Sequence, residues 1–131
     1  GTSYTDLLGL TKQYGLEKQV LFLGNMENPY PYIKNCDIYV QPSREEGYGM
    51  TVAEAKMFQR AIIITNFLTA SEHIQNGENG YIVPIDQNEL ASKIMYLIKR
   101  PEIREQFSYN LEGYNYPVEC KEKIYKLFGI S

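Results

Sequence analysis

The chain has 131 residues, enough for one hydrophobic core and too few for two. With 44% hydrophobic residues, 22% charged residues and a net charge of −3, its composition is that of an ordinary globular domain, without a basic field to recruit nucleic acid or an anionic membrane. No apolar run reaches the about 20 residues of a membrane span, and the first residues lack a signal-peptide pattern. Cys36 and Cys120 lie far apart and fit no metal-ligand spacing, so both are expected as reduced thiols. Gly1-Thr2-Ser3 leads almost at once into helix-like sequence, and the expectation is a chain that begins inside a longer protein.

In chain order, Leu7, Leu8, Leu10 and Tyr14 are spaced as a helix that Gly15 stops. Val20 to Leu23 reads as a short buried strand closed by Gly24-Asn25. Asn28-Pro29-Tyr30-Pro31 is turn-like, with Pro31 suited to the first turn of a helix running to Asn35. A strand over Asp37 to Gln41 ends at Pro42-Ser43, and a loop through Gly49 precedes a helix over Met50 to Phe58. Ala61 to Thr65 is the clearest buried strand. Turn residues from Asn76 to Gly80 introduce a fourth strand, Tyr81 to Val83. Asp86 with Glu89 forms a capping box for a helix with an apolar stripe of Leu90, Ile94, Leu97 and Ile98. Pro101 opens a helix to Asn110, and Pro117 opens a last one carrying Ile124, Leu127 and Phe128. Strands alternating with helices predict an α/β fold: a Rossmann-like parallel sheet with helices on both faces. Ligands of such sheets sit beyond the carboxyl ends of the strands.

One segment at that edge carries chemistry. Glu46-Gly47-Tyr48-Gly49 feeds straight into the helix at Met50. A helix N-terminus exposes unpaired N–H groups and the positive dipole end, and glycines let a ligand approach the backbone. The amides of Met50 and Thr51 are therefore candidate donors to a diphosphate. Glu54 stands about a turn into the helix and leans back toward its N-terminus. A carboxylate there suits a ribose diol, because it accepts from two hydroxyls at once. Glu46, before the turn, suits the hydroxyls of a sugar ring. Diol, diphosphate and sugar in that order describe a nucleotide-sugar. Taken singly, each glutamate reads as a solvated surface residue, and spacing alone does not overturn that.

The run from Gln41 to Lys56, QPSREEGYGMTVAEAK, resembles the signature of glycosyltransferase family 4, with Pro-Ser ahead of the first glutamate and a second glutamate eight positions later. Leu16 to Gly24, Asn35 to Val40 and Glu72 to Pro84 resemble the family's other segments in order, so the resemblance covers nearly the whole chain. It implies the C-terminal, donor-binding half of a GT-B enzyme that transfers a hexose with retention of configuration and without a metal or other cofactor. Glu46 corresponds to the first motif glutamate, the candidate catalytic residue that holds sugar hydroxyls, and Glu54 to the second, which binds the ribose diol. Gly47, Tyr48 and Gly49 correspond to the backbone lining the sugar, Met50 and Thr51 to the diphosphate amides, and Gly24, Asn25 and Met26 to the edge beside the nucleobase.

The expected donor is a nucleotide-sugar such as a UDP-sugar, and the expected acceptor a glycan or a lipid-linked glycan. The resemblance places the enzyme in the cytoplasm, with the inner face of the membrane also open to it. Residues 1–131 form an incomplete donor domain on this reading. The acceptor-binding N-terminal domain, and the Arg and Lys that neutralise the leaving diphosphate in the family, fall upstream of residue 1, so the fragment by itself is expected to be inactive.

The sequence departs from the family at Gln59 and Ala61, where glycine and proline are usual, and at Phe67 to Ser71, where glycines are usual. Thr69-Ala70-Ser71-Glu72 followed by Ile74 resembles members that build bacterial capsule and surface polysaccharides. Two other readings share the scaffold: a non-catalytic accessory subunit, and a nucleotide-sugar epimerase. The single histidine, His73, forms no triad or metal pattern. The 12 tyrosines are scattered as packing residues, and Lys121, Lys123 and Lys126 are diluted by Glu119 and Glu122, as on a solvated helix.

Overall fold

A computed structural model of the chain describes residues 2–24, 27–43, 50–114, 122 and 126. Its elements run α1 (Thr2–Gln13), α2 (Tyr30–Asn35), β1 (Ile38–Gln41), α3 (Met50–Met57), β2 (Ala61–Thr65), α4 (Ala70–His73), β3 (Tyr81–Val83), α5 (Gln87–Ile98) and α6 (Pro101–Asn110). Of the expected last helix from Pro117, only Glu122 and Lys126 are described, and both are helical. The strands form one parallel sheet in the order β1-β2-β3, with Ile38 opposite Ala61 and Ile63 opposite Tyr81.

Every residue of β2 is buried, because side chains alternate between two covered faces. Ile62 and Ile64 point into a cluster with Val52 and Ala55 of α3, Phe67, Ala70 of α4, Ile74 and Leu111. Ala61 and Ile63 point the other way, against Val83, Leu97 of α5 and Phe107 of α6. Helices on both faces follow from this alternation, as the sequence predicts.

One expectation is corrected. Segment 20–23 is no part of the sheet, and Leu21 is 74% exposed. β-branched and apolar residues favour a strand only where a neighbouring strand supplies the ladder. The helix α1 forms where its spacing predicts, with Leu7, Leu10 and the following Tyr14 exposed. Periodicity marks the face that favours burial without supplying its partner.

The cap of α5 matches half of its sequence signal. Asp86 Oδ1 accepts from the Asn88 and Glu89 amides at 2.9 and 3.0 Å. The Asp86 N–H bonds the Pro84 carbonyl, which leaves the return half of the capping box to that carbonyl rather than to Glu89. Leu90, Ile94 and Leu97 pack inward, whereas Ile98 is exposed at the edge of the stripe.

α1 and α3 end alike. The Gly15 N–H bonds the Lys12 carbonyl and the Leu16 N–H the Thr11 carbonyl; Gln59 and Arg60 repeat the pattern onto Lys56 and Ala55. This is the paired arrangement of a Schellman stop, with its next-to-last residue in left-handed conformation. Gly15 adopts φ 68° freely, but Gln59 holds φ 55° with a Cβ, which costs about 1–2 kcal/mol. Gln59→Gly is therefore expected to raise stability by about 0.5–1 kcal/mol, net of glycine's extra unfolded-state entropy, as urea denaturation would measure. Gly80 presents the opposite case. A Cβ there would meet the Ile62 carbonyl oxygen at 2.8 Å, so Gly80→Ala is expected to cost about 1–3 kcal/mol in the same assay.

Candidate functional site

The carboxyl edge of the sheet is tied together by side chains at the ends of β1 and β2. Tyr39 and Gln41 lie two apart on β1 and so share a face. The Tyr39 hydroxyl donates to Gln41 Oε1 at 2.6 Å, and Gln41 Nε2 donates to Ser43 Oγ at 2.7 Å. The Thr51 hydroxyl, in the first turn of α3, reaches the same Gln41 Oε1 at 3.3 Å. From β2, the Thr65 hydroxyl donates to the Ser43 carbonyl, with the Gln41 carbonyl 3.3 Å away. The Asn66 N–H closes the edge by bonding the Val83 carbonyl at the end of β3. The N-terminus of α3 thus stands beside the point where the three strands end.

Met50 and Thr51 open α3, so their amides belong to its first turn, where no carbonyl of the helix can reach them. Thr51 is exposed. Gly24 takes φ 65°, the turn conformation its place after segment 20–23 requires. Glu46, Gly47, Tyr48, Gly49, Asn25 and Met26 lie outside the described residues.

Glu54 is the main finding. It is 1% exposed, which removes the account of it as a surface helix residue. Its Oε1 accepts the Tyr30 hydroxyl at 3.0 Å, and Tyr30 is itself 0% exposed. Around them pack Ala53, Ile33, Met57 and Phe58, with the Tyr30 and Phe58 rings 6.0 Å apart. Burying a carboxylate is costly, and folds retain one where something holds it or uses it. Sequence reading missed Tyr30 in this role; the two prolines that flank it were the available signal. Gln41 and Thr65 were missed as well, since neither residue type is distinctive at a strand end.

The cations whose bonds are seen serve the fold. Lys56 Nζ donates to the His73 carbonyl at 2.7 Å and lies 3.9 Å from the centre of the Tyr114 ring, while burial pushes its ammonium below the usual lysine range. Arg60 bonds the Cys36 and Phe58 carbonyls, Arg100 the Tyr96 carbonyl, and Arg104 the Leu97 and Ile98 carbonyls. A cavity of about 250 Å³ lined by Asp37, Arg60, Pro101 and Arg104 lies at the amino ends of the strands, away from the edge described above. Cys36 donates to the Ile33 carbonyl at 3.1 Å, and burial, its largest influence, raises the thiol above its ordinary range. A thiol so held is a packing group, not a nucleophile.

The family model described as "Glycosyl transferases group 1" matches residues 1–113. The chain belongs to this family. Among relatives of this glycosyl transferase is the capsular polysaccharide biosynthesis glycosyltransferase CapM of Staphylococcus aureus, 31% identical over 81% of the chain and 27% of the relative. The crystallised C-terminal domain of a group 1 glycosyl transferase, LpcC of Francisella tularensis, is 29% identical over 84% of this chain and 58% of that one, with a TM-score of 0.72. Anabaena HepE, solved in complex with UDP, shares the fold with a TM-score of 0.78 at 22% identity, over 96% of this chain and 36% of that one. The chain therefore has the fold of the C-terminal, Rossmann-like half of these enzymes, and spans about a quarter of the length of CapM.

Lys56→Ala tests the structural role of this cation. It removes a hydrogen bond, a ring contact and a buried stem, and is expected to lower stability by about 1–3 kcal/mol.

Proposed function

We propose that this glycosyl transferase domain holds the nucleotide-sugar donor of a retaining hexosyltransferase. The observation that carries the reading is the buried Glu54 carboxylate one turn into α3, a helix whose first turn stands at the carboxyl edge of the sheet. On this reading the Met50 and Thr51 amides hold the donor diphosphate and Glu54 accepts the ribose hydroxyls. Glu46 holds hydroxyls of the transferred sugar, the backbone of Gly47, Tyr48 and Gly49 lines that sugar, and Gly24, Asn25 and Met26 flank the nucleobase.

In the transfer, the bond from the anomeric carbon to the diphosphate oxygen breaks and a bond from that carbon to an acceptor hydroxyl oxygen forms, with loss of the acceptor proton. The domain contributes orientation and electrostatic support for the departing diphosphate, with no metal. A UDP-sugar is the proposed donor, supported by the UDP bound to HepE. A glycan or lipid-linked glycan of a surface polysaccharide is the proposed acceptor, supported by the named role of CapM. The acceptor is bound by a further domain of the same protein, and the reaction takes place in the cytoplasm or at the inner face of the membrane.

A thermal-shift panel of UDP, GDP, ADP and their sugars tests the reading. One nucleotide series is expected to stabilise the chain, by about 2.7 kcal/mol at a hundredfold excess over Kd. Glu54→Gln, which keeps the side-chain shape, is expected to weaken that binding. The 131-residue chain by itself is expected to transfer no sugar in a radiolabelled-donor assay. Absence of any shift at millimolar nucleotide would refute the donor site, and robust turnover would refute the incompleteness.

A further inference from the structure

The turn Asn28-Pro29-Tyr30-Pro31 has a purpose beyond reversing the chain. Pro29 caps α2 at φ −79°, and Pro31 fixes the next φ within its first turn. Between them the Tyr30 N–H donates to Asn28 Oδ1 at 3.2 Å. The backbone of Tyr30 is thus held from both sides and by a hydrogen bond across it. Its ring is wedged among Ile33, Ala53, Met57 and Phe58, which restricts the side-chain torsions as well. The hydroxyl at the end of this stiff arm meets Glu54 Oε1 at 3.0 Å.

We infer that Tyr30 is the positioning residue for Glu54, aiming its carboxylate at the ribose diol of the donor; this rests on the assignment of Glu54 given above. A glutamate has three side-chain torsions, and freezing them when ligand arrives weakens binding. Here the phenol helps to hold them in advance. A carboxylate offers about four acceptor directions, so one phenol bond is compatible with a diol bonded to the same group. The donor also offsets the desolvation of a carboxylate buried before any ligand is present. A phenylalanine would fill the same space among the apolar neighbours, so packing by itself does not account for the hydroxyl.

Calorimetric affinities for UDP, GDP and ADP, each beside its 2′-deoxy counterpart, test this on the full chain, Tyr30→Phe, Glu54→Gln and the double variant. The parent protein is expected to prefer the ribo form of its nucleotide. Tyr30→Phe is expected to cut that preference about 3- to 10-fold, the worth of one well-placed hydrogen bond, while affinity for the deoxy form holds. Adding Tyr30→Phe to Glu54→Gln is expected to change nothing further. A parent chain without ribo preference overturns the Glu54 assignment and this inference with it. Ribo preference lost in Glu54→Gln but intact in Tyr30→Phe overturns the positioning role and leaves the donor site standing. Equal loss for ribo and deoxy forms in Tyr30→Phe also overturns it, because the hydroxyl then supports the fold and not the diol. Should Tyr30→Phe fail to fold, Asn28→Ala loosens the arm from the backbone side: a smaller fall in the same ratio supports the role, and an unchanged ratio overturns it.

Discussion

The central strand β2 has no face toward water, and most of the domain is arranged to meet that condition. Its alternating residues need one cover from α3 and α4 and another from α5 and α6. Five consecutive buried residues, four of them apolar, can be tolerated in this way only if both neighbours satisfy the backbone as well. β1 and β3 do so, and their parallel direction gathers the strand ends at one edge. The site is a by-product of burying β2: the helix that covers its first face is the helix whose opening turn stands beside Gln41 and Ser43.

Much of this was legible in the sequence. Ala61 to Thr65 and Tyr81 to Val83 are strands at the predicted residues, because runs so apolar and short, bounded by turns, fit little else. Asp86 announced α5 through its own side chain, a local interaction that needs no tertiary context. Segment 20–23 was misread as part of the sheet because pairing is not local: Val20 and Leu21 have the composition of a strand, and composition does not reveal the neighbour. The short helix α4 was missed for the converse reason. Ala70 is buried by Ile62 and Ile64 across the interface, and four residues carry too little periodicity to register.

The site divided in the same manner. The position of Glu54 on a helix that opens at the carboxyl edge of the sheet followed from spacing. Its burial did not follow, since glutamate is among the residues least often found inside. The compensating phenol comes from Tyr30, far away in sequence and on another helix. A carboxylate and a tyrosine distant in sequence carry no signature as a pair until packing unites them.

The parallel register has a kinetic side. Ile38 pairs with Ala61 and Ile63 with Tyr81, each across an intervening helix, so no strand pair can zip up from a tight turn. Loop closure precedes any reward from the ladder, and high contact order slows the search. Because α3 lies between β1 and β2 in the chain, closing that strand pair also brings in the helix that carries Glu54.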